Sequence, residues 1–204
     1  MAKRISLMCD LSSLFRTVGF QHPRRKLSYK KLLAFCAELG EVKLQKAYGL
    51  QENKEASKFI AALQHLGFST HYKRIGPSKQ HVSWNIAMTI TAIHELPEYD
   101  TLILASAEHD LWRLIRYIRE AHNKQVIVIA CNIPTAVKNV ATSWFEVTES
   151  MLEEPNGLAK GTQPNIDSFD ISDGATFSED PIPGCANQSE QDPKLKIGPD
   201  TGAG

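Results

Sequence analysis

Two short stretches of the chain place carboxylates where a polar site can form. Asp10 closes the apolar run from Ile5 to Cys9, and Glu108 and Asp110 follow the apolar run from Thr101 to Ala105. Carboxylates held close repel one another unless a cation joins them, and an all-oxygen ligand set suits Mg²⁺ or Mn²⁺. Such a metal activates water and stabilises a phosphoryl transition state. Asp10, Glu108 and Asp110 are therefore the candidate catalytic residues and metal ligands. Each acid alone also has a structural explanation. Asp110 stands where a helix begins and its free N–H groups favour an acid, and Asp10 can cap a turn. Their coincidence at one place is what points to a site. A second group is basic. Arg24, Arg25, Lys26, Lys73, Arg74 and Lys79 lie on expected loops or strand ends and are candidates for contacts to the phosphates of an anionic ligand.

The elements that must position these acids follow from the hydrophobic pattern. Ile5 to Cys9 reads as a first strand, and residues 11–27 as a turn and a basic loop. Ser28 can cap a helix through Glu38, with Leu32, Leu33, Cys36 and Leu39 on one face and Gly40 as its stop. Val42 to Tyr48 is a second strand, Lys54 to Leu66 a helix ended by Gly67, and Phe68 to Arg74 a third strand. Gly76-Pro77 marks a turn in the loop 75–81. Ser83 is positioned to cap a helix from Trp84 to His94, which Leu96-Pro97 ends. Thr101 to Ala105 is a fourth strand, Asp110 to His122 a helix and Val126 to Ala130 a fifth strand. Pro134 suits the first turn of a short helix, and Trp144 to Val147 a last strand. This alternation implies an α/β domain over residues 1–150, with a parallel sheet and helices on both faces. Sites in such sheets form beyond the C-terminal strand ends where the strand order reverses. In a 3-2-1-4-5 order, Asp10 faces Glu108 and Asp110 across that crevice.

Zero net charge hides an asymmetry. Residues 1–150 hold 20 Lys/Arg against 13 Asp/Glu, while residues 151–204 hold ten Asp/Glu against three Lys. A basic body suggests an anionic partner. The acidic segment, rich in Pro, Gly, Ser and Asn, is expected to be disordered, because it cannot offset the entropy of ordering. The four cysteines at 9, 36, 131 and 185 have no metal-ligand spacing and suit a reducing, cytoplasmic setting. The first residues do not read as a signal peptide, and no apolar run is long enough to span a bilayer. A dinucleotide-binding reading fails for want of a Gly-rich loop after the first strand. An aspartyl-nucleophile phosphatase would want an acid where Ser12 stands.

The motifs resemble a known family. Met8-Cys9-Asp10-Leu11-Ser12-Ser13-Leu14-Phe15 is similar to a strand-Asp-x-x-(Asn/Ser)-Leu pattern, and Tyr99-Asp100-Thr101-Leu102-Ile103-Leu104-Ala105-Ser106-Ala107-Glu108-His109-Asp110-Leu111 to Tyr-Asp-Thr-(hydrophobic)-Leu-Ala-Ser-Gly-Asp-x-Asp-Phe. With Ser83-Trp84-Asn85 and Val140-Ala141-Thr142-Ser143-Trp144-Phe145, the chain resembles an NYN domain, of the LabA-like branch of the PIN-like nucleases. The resemblance implies a three-layer PIN-like fold and a Mg²⁺- or Mn²⁺-dependent endoribonuclease. It also shows departures. The family usually has Asn at Ser13, Asp at Asn85, Thr91 and Thr142, and Gly-Asp at Ala107-Glu108. Glu108 keeps its charge on a longer arm, and a displacement of about an ångström can cost on the order of a hundredfold in rate. His109 occupies the variable place between two acids of the pattern, and Trp84 reads as a packing residue at a helix start. Two readings stand: a metal-dependent ribonuclease with a thinned site and reduced activity, or an inactive NYN domain that binds RNA or a protein partner.

Overall fold

A computed structural model describes residues 3–51, 54–73 and 84–153 of the chain. The elements run β1 (Arg4–Asp10), α1 (Leu11–Gln21), α2 (Tyr29–Leu39), β2 (Glu41–Gln51), α3 (Lys54–His65), β3 (Ser69–Lys73), α4 (Asn85–His94), β4 (Thr101–Ala105), α5 (Trp112–His122), β5 (Gln125–Ala130), α6 (Thr135–Val140) and β6 (Ser143–Glu146). The strands form one parallel sheet in the order β3-β2-β1-β4-β5-β6. The expected order holds, and the short last strand adds at the β5 edge. In β4 every residue is buried, and β1 and β5 expose only their first residues. Strands covered on both faces lose the alternation of a half-exposed sheet, which is why they read as continuous apolar runs.

The segment 11–27 departs from expectation. It opens with an eleven-residue helix, and only then becomes a loop. Asp10 is the N-cap of α1: its carboxylate accepts the Ser13 N–H at 3.1 Å. Leu11, Leu14 and Val18 recur at helical spacing and are buried. Two phenylalanines on the other side, Phe15 at 49% and Phe20 at 87% exposure, blur that stripe in the sequence. The later helix also differs at its start. Residues His109–Leu111 form a 3₁₀ turn, and α5 proper begins at Trp112.

β2 is longer than its pattern suggests, and it changes register against β3 between Tyr48 and Leu50. Gly49 sits at that irregularity with φ +93°, and a Cβ there would lie 2.6 Å from the Ser12 hydroxyl oxygen. Glycine alone accepts both conditions.

At the opposite end of the sheet Arg4 and Asp100 lock β1 to β4. The Arg4 guanidinium donates to both Asp100 oxygens, at 2.9 and 3.2 Å, and the Arg4 N–H donates to the same carboxylate at 3.0 Å. Tyr99, buried beside it, donates its hydroxyl to the Ala92 carbonyl at 2.8 Å and so ties α4 to the start of β4. Past β6 the chain returns to the loop after α1. Leu152 bridges Leu27, Glu153 N–H donates to the Lys26 carbonyl at 2.8 Å, and Met151 and Leu152 enter the core. Cys9, Cys36 and Cys131 are buried free thiols. No helix among the described residues is long and apolar enough to cross a membrane. The expected turn at 75–81, the Ser83 cap and the segment from residue 154 onward lie outside the described residues.

Candidate active site at the ends of β1 and β4

The C-terminal ends of β1 and β4 lie side by side, with Cys9 paired to Ala105. Asp10, the last residue of β1, and Ser106, the first past β4, come next. From there the two chains separate, β1 turning into α1 and β4 into the loop 106–108. Ser13 closes the gap: its hydroxyl oxygen accepts the Ala107 N–H at 3.1 Å. Ser106 curls the loop by accepting the Glu108 N–H on its own hydroxyl oxygen at 3.2 Å. Both serines are buried, at 1% exposure, so these bonds set the position of Glu108 relative to Asp10.

The three acids have different surroundings. Asp10 is 4% exposed. Burial pushes its carboxyl above the usual range, and the Glu108 charge adds to that. The Ser13 and Ser12 N–H groups and the Arg16 guanidinium pull the other way without cancelling it. Glu108 is half-buried, and its Oε1 accepts from the Arg16 guanidinium at 2.6 Å. Asp110 has a side chain 86% exposed, and the imidazole of His109 is 3.7 Å from it. Thus Asp10 and Glu108 share a site with Arg16, and Asp110 stands on its rim, in solvent. Among the described residues no group of three or more His, Cys, Asp or Glu side chains is disposed to hold a metal ion.

The rest of the surround comes from β2 and α4. Ser12 donates its hydroxyl to the Gly49 carbonyl at 3.1 Å. Trp84, at the start of α4, lies against Tyr48 with ring centroids 6.3 Å apart, in agreement with a packing role. Asn85 follows it as the first residue of α4. Thr142 lies elsewhere. Its hydroxyl accepts the Val126 N–H at 3.0 Å, and Val126 is level with Leu102 and Ser6. That is four residues short of Asp10, about 13 Å along a strand. An acid at position 142 would not join this cluster, so its replacement does not thin the site.

The basic candidates divide. Arg24 and Lys26 are exposed. Arg25 is committed to the fold, donating to Glu149 at 3.1 Å and to the Glu153 carbonyl at 3.0 Å. Lys73 is the last residue of β3, and Arg74 and Lys79 lie outside the described residues. The sequence reading missed Arg16, whose place beside Glu108 depends on residues 11–21 being helical. It also left unassigned the exposed face of α5, where Arg113, Arg116 and Arg119 recur at three-residue spacing and Arg113 covers the Trp112 ring at 5.4 Å.

The NYN domain model matches residues 4–148, which takes in β1 through β6 and both acid-bearing strand ends. The chain belongs to the NYN domain family. This NYN domain also resembles in fold a crystal structure of a protein of unknown function from Vibrio parahaemolyticus, with a TM-score of 0.68 and 21% identity over 74% of this chain and 97% of that one. No sequence match was found among curated proteins. Family membership carries the PIN-like nuclease ancestry. It does not supply the ligand set, and the residues present do not fit one: Asp10 is turned onto the start of α1, Glu108 onto Arg16, and Asp110 outward.

Proposed function

We propose that this NYN domain binds RNA and does not hydrolyse it by the metal-assisted route of its family. The observation that carries this reading is the disposition of the acids. A metal route needs carboxylate oxygens that converge on one cation. Here two of the three candidate acids, Asp10 and Glu108, have an arginine with them, and the third, Asp110, faces solvent.

RNA is supported as the ligand by family membership and by the charge of the body. The contacts assigned to phosphates are Arg24 and Lys26 on the loop after α1, and Arg113 and Arg116 on α5. Arg113 lies in the first turn of that helix, directly after the acid loop.

The test pairs binding with cleavage. Labelled single-stranded RNA is titrated at several salt concentrations, and its integrity is followed with Mn²⁺, for wild type and Asp10→Asn. Salt-dependent binding without cleavage is the expected result. Mn²⁺-dependent turnover that disappears in Asp10→Asn or Asp110→Asn overturns the proposal and restores the nuclease reading. A chain that neither binds nor cuts RNA overturns it as well and leaves a protein partner as the ligand class.

A further inference from the structure

We infer that the Arg16 guanidinium is the resident cation of the Asp10–Glu108 pair, standing where a divalent metal would otherwise be held. The inference rests on the reading that the acids do not converge on a metal, and adds the cause: the position is already filled from within.

Three observations carry it. The Arg16 guanidinium donates to Glu108 Oε1 at 2.6 Å, a direct charge-assisted hydrogen bond. Arg16 acts on Asp10 as well, and in the opposite sense to Glu108. The arginine therefore sits within electrostatic reach of both carboxylates. Finally, the approach is built from the backbone. Asp10 caps α1, and Arg16 lies six residues further on the same helix. Ser13, between them, holds the loop that carries Glu108 through its bond to Ala107. One helix thus delivers the acid, the tie to the second strand and the positive charge.

A guanidinium and a divalent ion meet the same electrostatic need in different ways. Both relieve the repulsion between the two acids. The guanidinium brings no open coordination position and activates no water. Its side chain is 59% exposed, so the positive charge also faces whatever approaches the site from solvent. A phosphate arriving there meets a donor and not a metal-bound nucleophile.

The probe is Mn²⁺ alone, titrated into the full chain, with binding read by electron paramagnetic resonance of free Mn²⁺ and by the thermal midpoint. Wild type, Arg16→Gln, Arg16→Lys and the double variant Arg16→Gln/Glu108→Gln are compared. Removing a unit charge a few ångströms from an incoming cation should tighten its binding by on the order of tenfold or more. Arg16→Gln is expected to gain an Mn²⁺ site and a midpoint that Mn²⁺ raises. Arg16→Lys, which keeps the charge, and the double variant, which loses an acid, should resemble wild type. A folded Arg16→Gln that binds Mn²⁺ no better than wild type overturns the inference. So does a wild type that already holds Mn²⁺ at these acids. If Arg16→Gln is too unstable to assay, Arg16→Met, which keeps an apolar stem without the charge, takes its place, and its failure to gain the Mn²⁺ site overturns the inference. These readouts use neither RNA binding nor cleavage, so they stand apart from the test of function.

Discussion

Asp10 caps a helix while buried, and those two facts act against each other. Its cap bond stabilises α1, and its desolvation disfavours the charged form. Because the folded carboxyl titrates above its ordinary value of 3.8, the folded state binds more protons than the unfolded one between that pH and the raised value. Stability must fall as pH rises through this window and stay lower above it. Asp10→Asn keeps a good capping side chain and removes the charge. We expect that variant to be more stable than wild type at about neutral pH, with the difference vanishing on acidification below the unfolded value; urea unfolding across pH measures it. Ser13 is a different case. Its hydroxyl oxygen is the acceptor for the half-buried Ala107 N–H, so Ser13→Ala should cost about 1 kcal/mol in the same assay and loosen the loop that carries Glu108.

Among the elements, α1 decides what the sequence could reveal about the site. The sheet was legible because β1, β4 and β5 are covered on both faces, and a buried parallel strand is a short apolar run whatever its neighbours. The acids at their ends were legible for the same reason. Arg16 was not. It becomes part of the site only if residues 11–21 are helical, and Phe15, Gly19 and Phe20 interrupt the apolar stripe that would have shown it. Thr142 misled in the opposite direction, since a family pattern records which residue changes and not which end of the sheet it occupies. Gly49 was equally hidden, because the need for it comes first from the positive φ at the irregularity in β2 and only second from the nearby Ser12 hydroxyl. Gly49→Ala should destabilise by about 1–3 kcal/mol through its left-handed φ. Removing the Ser12 hydroxyl in the same chain should restore little of this, because the backbone strain remains. On α5, Arg113→Ala with Arg116→Ala should lower the slope of log binding constant against log salt by about 0.7 per lost phosphate contact with single-stranded RNA.

The whole molecule is held at both ends of its sheet, by different means. At the N-terminal strand ends the Arg4 guanidinium holds the Asp100 carboxyl down at about 2. A folded value below the ordinary 3.8 gives stability that is complete above that pH and is lost as the medium is acidified towards 2. Asp100→Asn should therefore flatten the acid limb of the stability curve, read by circular dichroism. At the far side the fold closes with the turn at residues 149–151 and the Leu27–Leu152 bridge, beyond the last residue matched by the family. This has a practical meaning for anyone trimming the protein. A truncation drawn at the family boundary would strip away Met151 and Leu152, leave Arg25 without Glu149, and open an apolar seam beside Leu27. A fragment ending before Glu153 is expected to aggregate through that seam, and one that includes Glu153 to stay monomeric, read by size-exclusion chromatography.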